Sequence, residues 1–122
     1  MKNYIKQTSP FRVPTSDGKH IEEHFGLAAG GDGAISIARM VAPPGWSEPF
    51  QQPEFEEYTL MVRGRKQVEI DGETLVLHAG ESLLVRRGAR VRYANPFDAE
   101  AEYWSVCRPA FSPDTVHREE PS

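Results

Sequence analysis

Short runs in which apolar and polar residues alternate fill most of this chain, and each run ends at a glycine, a proline or a polar pair. Successive side chains of a β-strand point to opposite faces, so such alternation is typical of strands with one buried face. No window of about a dozen residues has apolar positions three and four apart without an interrupting glycine or proline, which argues against helices. The pattern predicts strands at His20–Phe25, Ala34–Ala42, Phe55–Arg63, Lys66–Ile70, Glu73–His78, Ser82–Arg86, Arg90–Ala94 and Glu100–Arg108.

Turn residues between these runs indicate antiparallel pairing. Asp71 and Gly72 separate two alternating runs and predict a tight hairpin, because both central positions of a type I′ turn need a positive φ. Gly64 gives the preceding turn the same freedom. The proline-rich segment 43–53 is excluded as a central strand, because proline cannot donate to a β-ladder. Many short strands joined in this way predict an all-β antiparallel sandwich or barrel.

The length of 122 residues fits one domain that can bury a core without a disulfide or a metal. We divide it into N-terminal strands and a loop (1–33), a barrel (34–108) and a C-terminal tail predicted to lie over the barrel (109–122). The single cysteine cannot form an internal disulfide, and the first ten residues lack the apolar stretch of a secretory signal. No run approaches the ~20 apolar residues of a membrane helix, so we expect a cytoplasmic protein without a membrane partner.

The formal net charge of −4 argues against nucleic acid as a partner, since nucleic-acid-binding domains are normally basic. Two local clusters are nevertheless basic. We interpret them as solvated side chains on outward strand positions, paired with the many glutamates. Attraction of an anionic ligand is the alternative. The clusters consist of Arg63, Arg65 and Lys66, and of Arg86, Arg87, Arg90 and Arg92.

Two segments carry regularly spaced glycines that match a known pattern. Residues 45–64 resemble the first cupin motif, in which a glycine is followed by His-x-His, a glutamate and a second glycine at fixed spacings. Residues 80–95 resemble the second motif, with its two glycines, histidine and asparagine. The matching positions are Gly45, Glu57, Gly64, Gly80, Gly88 and Asn95. The chain therefore resembles the small single-domain cupins of the conserved-barrel type, which implies an antiparallel jelly-roll barrel.

The resemblance also implies where a metal would bind. In cupins, two histidines and the glutamate of the first motif, with the histidine of the second, hold one divalent metal. Here these positions are Gln51, Pro53, Glu57 and Val91. Glu57 alone is a strong ligand, so the metal site is degenerate and we expect no cofactor. A divalent metal in a rebuilt site is the alternative, with His24 as the best new ligand.

The barrel interior can be read from the strand period. In the family, the counterparts of Glu57 and Val91 point inward, and alternation then adds Thr59, Met61 and Tyr93. The last strand offers two faces, one with Trp104 and one with Cys107, and the sequence leaves both open. The candidate substrate-binding residues are therefore Gln51, Met61, Val91, Trp104 and Cys107.

Glu57 is the main candidate for chemistry. A carboxyl group in an apolar barrel has a raised pKa unless a cation or hydrogen-bond donors hold it, and such a group beside Tyr93 can transfer protons. Under the structural alternative, Arg39, Tyr93 or Gln51 simply satisfies the carboxylate.

The tail carries a second resemblance. Residues 106–120 are similar to the end of ectoine synthase, a cupin that closes a ring with loss of water. This similarity implies that Cys107 and His117 border the pocket, and it makes His117 the third catalytic candidate beside Glu57 and Tyr93. The metal-binding tyrosine and histidine of that family correspond to Leu83 and Val91, so ectoine synthesis is not predicted.

These observations predict a small-molecule-binding cupin, an isomerase, lyase or cyclase that uses Glu57 as acid and base. The alternatives are a metabolite-binding or structural cupin without catalysis, and a metal-dependent enzyme with a rebuilt site. We expect a small-molecule ligand and a homodimer, since dimerisation is common in the family and covers exposed strand edges.

Overall fold

The computed structural model describes residues 2–31 and 33–120, so positions 1, 32, 121 and 122 of the predicted N-terminal and tail segments lie outside it. All predicted strands are present, with ends that differ by two residues at most. No helix that could cross a membrane occurs in the described part of the chain. The strands are β1 Phe11–Arg12, β2 His20–Phe25, β3 Ser36–Ala42, β4 Trp46–Ser47, β5 Glu56–Arg63, β6 Arg65–Ile70, β7 Glu73–His78, β8 Ser82–Val85, β9 Val91–Asn95 and β10 Ala101–Arg108.

The strands form two antiparallel sheets. One sheet has the order β1-β2-β3-β10-β5-β8, and the other has the order β4-β9-β6-β7. The predicted all-β antiparallel architecture is therefore confirmed. The proline-rich segment contributes the two-residue strand β4, at the end of the smaller sheet's strand order, and an isolated bridge at Gln51.

Both predicted glycine turns have the required backbone. Asp71 and Gly72 have φ of 46° and 85° and join β6 to β7, with Ile70 opposite Glu73. Gly64 joins β5 to β6 with φ of 79°, and a Cβ there would lie 2.2 Å from the carbonyl oxygen of Glu100. The β5–β6 turn thus needs glycine both for its dihedral angle and for the close approach of the neighbouring chain.

The apolar core lies between the sheets. Its main cluster includes Met61 and Val91, which are 4% and 0% exposed. A second, smaller cluster joins Phe55, Cys107 and Val116, with Phe111 packed against it. This second cluster holds the tail against the larger sheet.

Residues 115–119 of the tail, here called the C-terminal strap, run antiparallel to residues 50–54. The amides of Gln52 and Glu54 donate to carbonyl oxygens of the strap at 3.2 and 2.9 Å, and the amide of Glu119 donates back to Phe50 at 2.8 Å. Gln51 is bridged to Arg118 on one side and to Val91 of β9 on the other. The strap therefore extends the smaller sheet by one irregular strand.

Candidate functional site

A cavity of about 940 Å³ opens between the two sheets. Inward side chains of β2, β3, β5, β6, β9 and β10 line it, together with residues 13–17 and the strap. Its volume is in the range of small-molecule sites. Most of its wall is apolar, and several ionisable side chains, Glu57 among them, line it.

Glu57 is 8% exposed, and both of its carboxylate oxygens accept hydrogen bonds. The Tyr93 hydroxyl donates to Oε1 at 3.2 Å, and the Ser105 hydroxyl donates to Oε2 at 2.6 Å. Burial, and then the charge of Glu57, raise the pKa of Tyr93 well above its usual value. Tyr93 therefore remains protonated and donates a hydrogen bond to the carboxylate.

Arg39, an expected partner of Glu57, lies elsewhere. Its guanidinium pairs with Glu22 and Glu102 at 3.0 and 2.9 Å on the outer face of the larger sheet. Glu57 is thus held by two hydroxyl donors, and neither of them is charged.

Lys66 is only 2% exposed and reaches the same cavity from β6. Its ammonium lies 3.9 and 3.8 Å from the ring centroids of Tyr93 and Tyr103, and it donates to the Thr59 hydroxyl at 3.4 Å. Burial lowers the pKa of Lys66 to about 7, although the charge of Glu57 opposes that shift. The amine therefore titrates near neutral pH.

Assigning Lys66 to an outward basic cluster was wrong. Arg63 and Arg65 are exposed, but Lys66 shares the inward face of β6 with Val68. That two-residue spacing was the signal available in the sequence. Most arginines of the two clusters do pair with glutamates, for example Arg90 with Glu119 at 2.9 Å.

Lys19, just before β2, is the second buried amine. Its ammonium lies 4.1 Å from the Trp46 ring and 5.4 Å from the Tyr103 ring. Burial acts to lower the pKa of Lys19, but Tyr103 and Glu48 more than offset it, so the pKa is raised. The Tyr103 hydroxyl itself is buried and makes no hydrogen bond within residues 2–31 and 33–120.

Glu48 links the cavity to the strap. Burial raises the pKa of Glu48, and the charge of Lys19 partly offsets this. Arg118 of the strap lies 3.9 Å from the Glu48 carboxylate and donates to the side chain of Gln51 at 3.4 Å. No motif or strand pattern in the sequence marked Lys19, Glu48 or Arg118.

The structure brings five of the predicted site residues to the cavity: Gln51, Glu57, Tyr93, Cys107 and His117. Their predicted roles stay predictions. Burial raises the pKa of the Cys107 thiol, which favours packing over a role as nucleophile. His117 is exposed at the cavity edge, with φ of 51°, and its ring pairs with Glu54.

Three predicted pocket residues lie outside the cavity. Met61 and Val91 point inward, but the barrel is filled at their level and they belong to the core. Trp104 faces outward and packs against His24, with ring centroids 5.0 Å apart. The inward face of β10 is the alternative one, which carries Tyr103, Ser105 and Cys107.

The residues at the family's metal positions do not fit a divalent metal. Val91 is in the core, the Gln51 carbonyl accepts from Arg118, and Glu57 is already bonded by two hydroxyls near a lysine. His24, proposed for a rebuilt site, lies on the opposite face of the sheet against Trp104. In the described part of the chain, no group of three or more His, Cys, Asp or Glu side chains has metal-binding geometry.

Two facing antiparallel sheets around an internal cavity define a small jelly-roll barrel. The family model of the cupin domain matches residues 38–107, and this chain belongs to the cupin family.

Two curated proteins with similar sequences are named after different activities. The chain is 47% identical over 109 residues to an endoribonuclease YbeY of Myxococcus xanthus; the match covers 89% of this chain and 37% of that protein. It is 41% identical over 49 residues to the polyketide synthase CurC of Streptomyces cyaneus, covering 40% of this chain and 32% of the relative. The chain thus spans about a third of each curated relative.

Among solved structures, the chain is similar to the polyketide cyclase RemF of Streptomyces resistomycificus. The TM-score is 0.75 at 16% identity, and the alignment covers 100% of this chain and 88% of the other. At this identity the likeness concerns the fold.

Proposed function

We propose that the chain binds a small organic molecule in its cavity and converts it by acid/base chemistry of the isomerase, lyase or cyclase type. One observation carries the proposal: Glu57 from one sheet and Tyr93 and Lys66 from the facing sheet line the same cavity of about 940 Å³. Ionisable groups are costly to bury. Their presence beside open space is therefore expected at a site that handles charge and protons.

Each ionisable group in the cavity has its own role in the proposed reaction. Glu57 takes a proton from a carbon next to a carbonyl group, and Lys66 stabilises the negative charge that develops on the carbonyl oxygen. Returning the proton to another carbon completes an isomerisation, whereas loss of a hydroxyl group as water completes an elimination. Tyr93 holds the Glu57 carboxylate in place through its hydrogen bond, and His117 orients the molecule at the cavity edge.

The names of two similar proteins support the cyclase type. A polyketide synthase matches 40% of the chain, and a polyketide cyclase shares the fold. Ring closure in a polyketone needs a base to remove a proton next to a carbonyl, which fits Glu57. The ribonuclease name belongs to a protein of which this chain spans 37%, and the net charge of −4 does not favour an RNA partner. We propose no nucleic-acid partner.

Replacing Glu57 with glutamine tests the chemistry. We expect wild-type protein to accelerate exchange of the protons next to the carbonyl of phenylacetone in deuterated buffer, as followed by proton NMR. Glu57→Gln removes the base but keeps a similar shape, so the rate falls by about 10²–10⁴-fold. The melting temperature stays within a few degrees, because one of the two hydroxyls can still donate to the amide oxygen and the other can accept from the amide nitrogen.

The matched control is Glu56→Gln, the neighbouring residue, whose carboxylate pairs with Arg108 at 2.8 Å. It should keep the wild-type exchange rate. If wild-type protein exchanges the probe no faster than Glu57→Gln, catalysis by Glu57 is ruled out and the non-catalytic alternative stands. A large loss of stability in Glu57→Gln would instead favour a structural role.

A further inference from the structure

The chain distributes its two kinds of cation unevenly. It has four lysines and ten arginines. Lys2 and Lys6 are exposed near the N-terminus, whereas Lys19 and Lys66 are buried and both line the cavity. None of the arginines is buried. Arginine remains charged in proteins, but a buried lysine can become a neutral amine, so this distribution favours chemistry that needs the amine.

The direct contacts of the Lys66 amine are with uncharged groups. It donates to a hydroxyl, Thr59, at 3.4 Å and has no carboxylate ion pair among the residues that the structure describes. The ammonium of Lys19 approaches the same Tyr103 ring, so two cations share one buried aromatic neighbour. Like charges in a low-dielectric interior disfavour each other, and one of the two amines is the better candidate to lose its proton.

The shifts of the two amines point to Lys66. Its pKa is lowered to about 7 by burial, whereas the pKa of Lys19 is raised by Tyr103 and Glu48 against the effect of burial. Near neutral pH a large share of Lys66 is therefore a free amine, and Lys19 stays protonated. Desolvated lysines of this kind are nucleophiles toward carbonyl compounds.

We propose that Lys66 forms an imine with an aldehyde or ketone bound in the cavity. The proposal rests on the proposed function and names its substrate class as carbonyl compounds. The Lys66 nitrogen attacks the carbonyl carbon, and the carbonyl oxygen takes a proton to give a carbinolamine. Loss of the nitrogen proton and departure of the oxygen as water then give the imine, so one molecule of water is released for each carbon–nitrogen double bond formed.

Glu57 is placed to move these protons, since it shares a hydrogen bond with Tyr93 and Lys66 lies against the Tyr93 ring. Once protonated, the imine carries the positive charge that the ammonium carried before. It therefore withdraws electrons from the adjacent carbon more directly than an ion contact does, and Glu57 then removes a proton from that carbon.

Reductive trapping tests the imine. The full chain is incubated with phenylacetone, and separately with acetone, in the presence of sodium cyanoborohydride at neutral pH. Peptide mapping by mass spectrometry then locates the secondary amine that results. We expect Lys66 to be modified at least about ten-fold faster than Lys2 and Lys6, which are exposed amines outside the cavity.

Two variants sharpen the result. Lys66→Arg keeps the charge and should lose the cavity adduct, while Lys19→Arg should keep it. Lys2 and Lys6 serve as internal standards in every sample, and wild-type labelling decides the question even where a variant folds poorly. Modification confined to Lys2 and Lys6 with both ketones, or modification of Lys19 in place of Lys66, overturns the proposal.

The outcome separates this proposal from the proposed function. Proton exchange that depends on Glu57 and persists in Lys66→Arg, without a trapped adduct, would leave acid/base chemistry standing and remove the imine. A trapped adduct at Lys66 without exchange would support the imine and remove the role of Glu57 as base.

Discussion

At the residue scale, Lys66 shows what a buried charge costs and what limits that cost. A cation–π contact contributes up to about 2 kcal/mol, whereas removing an ammonium group from water costs several kcal/mol. The contacts with Tyr93 and Tyr103 therefore do not prevent the pKa of Lys66 from falling. Burial in the barrel disfavours the charged form of Lys66, and the neutral amine that results is the reactive form.

The lowered pKa of Lys66 makes the free energy of unfolding depend on pH in a predictable direction. The pKa of Lys66 is about 7 in the folded state and near 10.5 in the unfolded chain, so between these values the unfolded state binds more protons. Burying Lys66 lowers the free energy of unfolding by its full amount below pH ~7, and this loss declines as pH rises toward ~10.5. The wild type should therefore gain about 2–3 kcal/mol in free energy of unfolding between pH ~6 and pH ~9 that Lys66→Met does not gain. The difference in stability between Lys66→Met and wild type shifts by this amount in favour of wild type.

Urea denaturation of both proteins at the two pH values measures this change, whatever the constant offset from packing. Comparison with wild type cancels the other groups that face Lys66 as long as they titrate alike in both proteins. These groups are Lys19, Glu48, Glu57, Tyr93, Tyr103 and Cys107. A difference that does not change with pH would contradict the lowered pKa.

The sequence predicts the position of some cavity residues and not of others. Glu57 and Tyr93 could be placed at the cavity because a motif fixed one inward position on each strand and alternation fixed the rest. Trp104 could not be placed, since both faces of β10 carry an aromatic residue and only pairing with β3 and β5 decides between them. Lys66 was missed because its neighbours Arg63 and Arg65 made it look like part of an exposed charge cluster.

At the element scale, the strands follow local patterns and the irregular segments follow tertiary contacts. Strands such as β2 and β7 were predicted at their observed ends, because alternation and turn residues are properties of the local sequence. The two-residue strands β1 and β4 and the strap have no such pattern. β4 and the strap are ordered by partners far away in sequence, as when β4 pairs with β9, whereas β1 pairs with the next strand, β2.

The turns of two consecutive hairpins provide a matched test of element geometry. Gly64 and Gly72 have φ of 79° and 85°, but a Cβ would meet the Glu100 oxygen at 2.2 Å only at Gly64, with nothing within 4 Å at Gly72. We expect Gly72→Ala to cost about 1 kcal/mol through its dihedral angle. Gly64→Ala should cost at least about 3 kcal/mol, because the backbone must also move.

Thermal or urea unfolding of the two variants measures both losses. Equal losses would show that the approach of Glu100 to the β5–β6 turn is not tight in solution.

At the scale of the whole molecule, the outer face of the larger sheet carries exposed apolar residues beside its ion pairs. Leu60 and Val62 of β5 are 46% and 50% exposed, and Leu60 lies opposite Trp104 of β10 in the ladder. Adjacent outward apolar residues on paired strands form a patch of the kind found at protein interfaces. We propose that a second copy of the chain covers this face in a two-fold symmetric dimer.

Placing a charge in this patch tests the dimer. Light scattering after size exclusion should give wild-type protein twice the chain mass of 13.7 kDa, and Leu60→Glu should give the monomer. The control is Val76→Glu, at a site that is 39% exposed on β7 of the other sheet, and it should remain dimeric. A monomeric wild type, or dissociation by Val76→Glu alone, would contradict this interface.

The strap has a consequence for aggregation. Its hydrogen bonds occupy backbone groups of residues 50–54 that would otherwise be open to a strand from another molecule. The strap forms the edge on this side of the smaller sheet, and it carries three consecutive ionisable residues, His117, Arg118 and Glu119. Arg90 donates two hydrogen bonds to the Glu119 carboxylate. Charged, irregular edges resist strand addition, so the segment that borders the cavity also protects the barrel from edge-to-edge polymerisation.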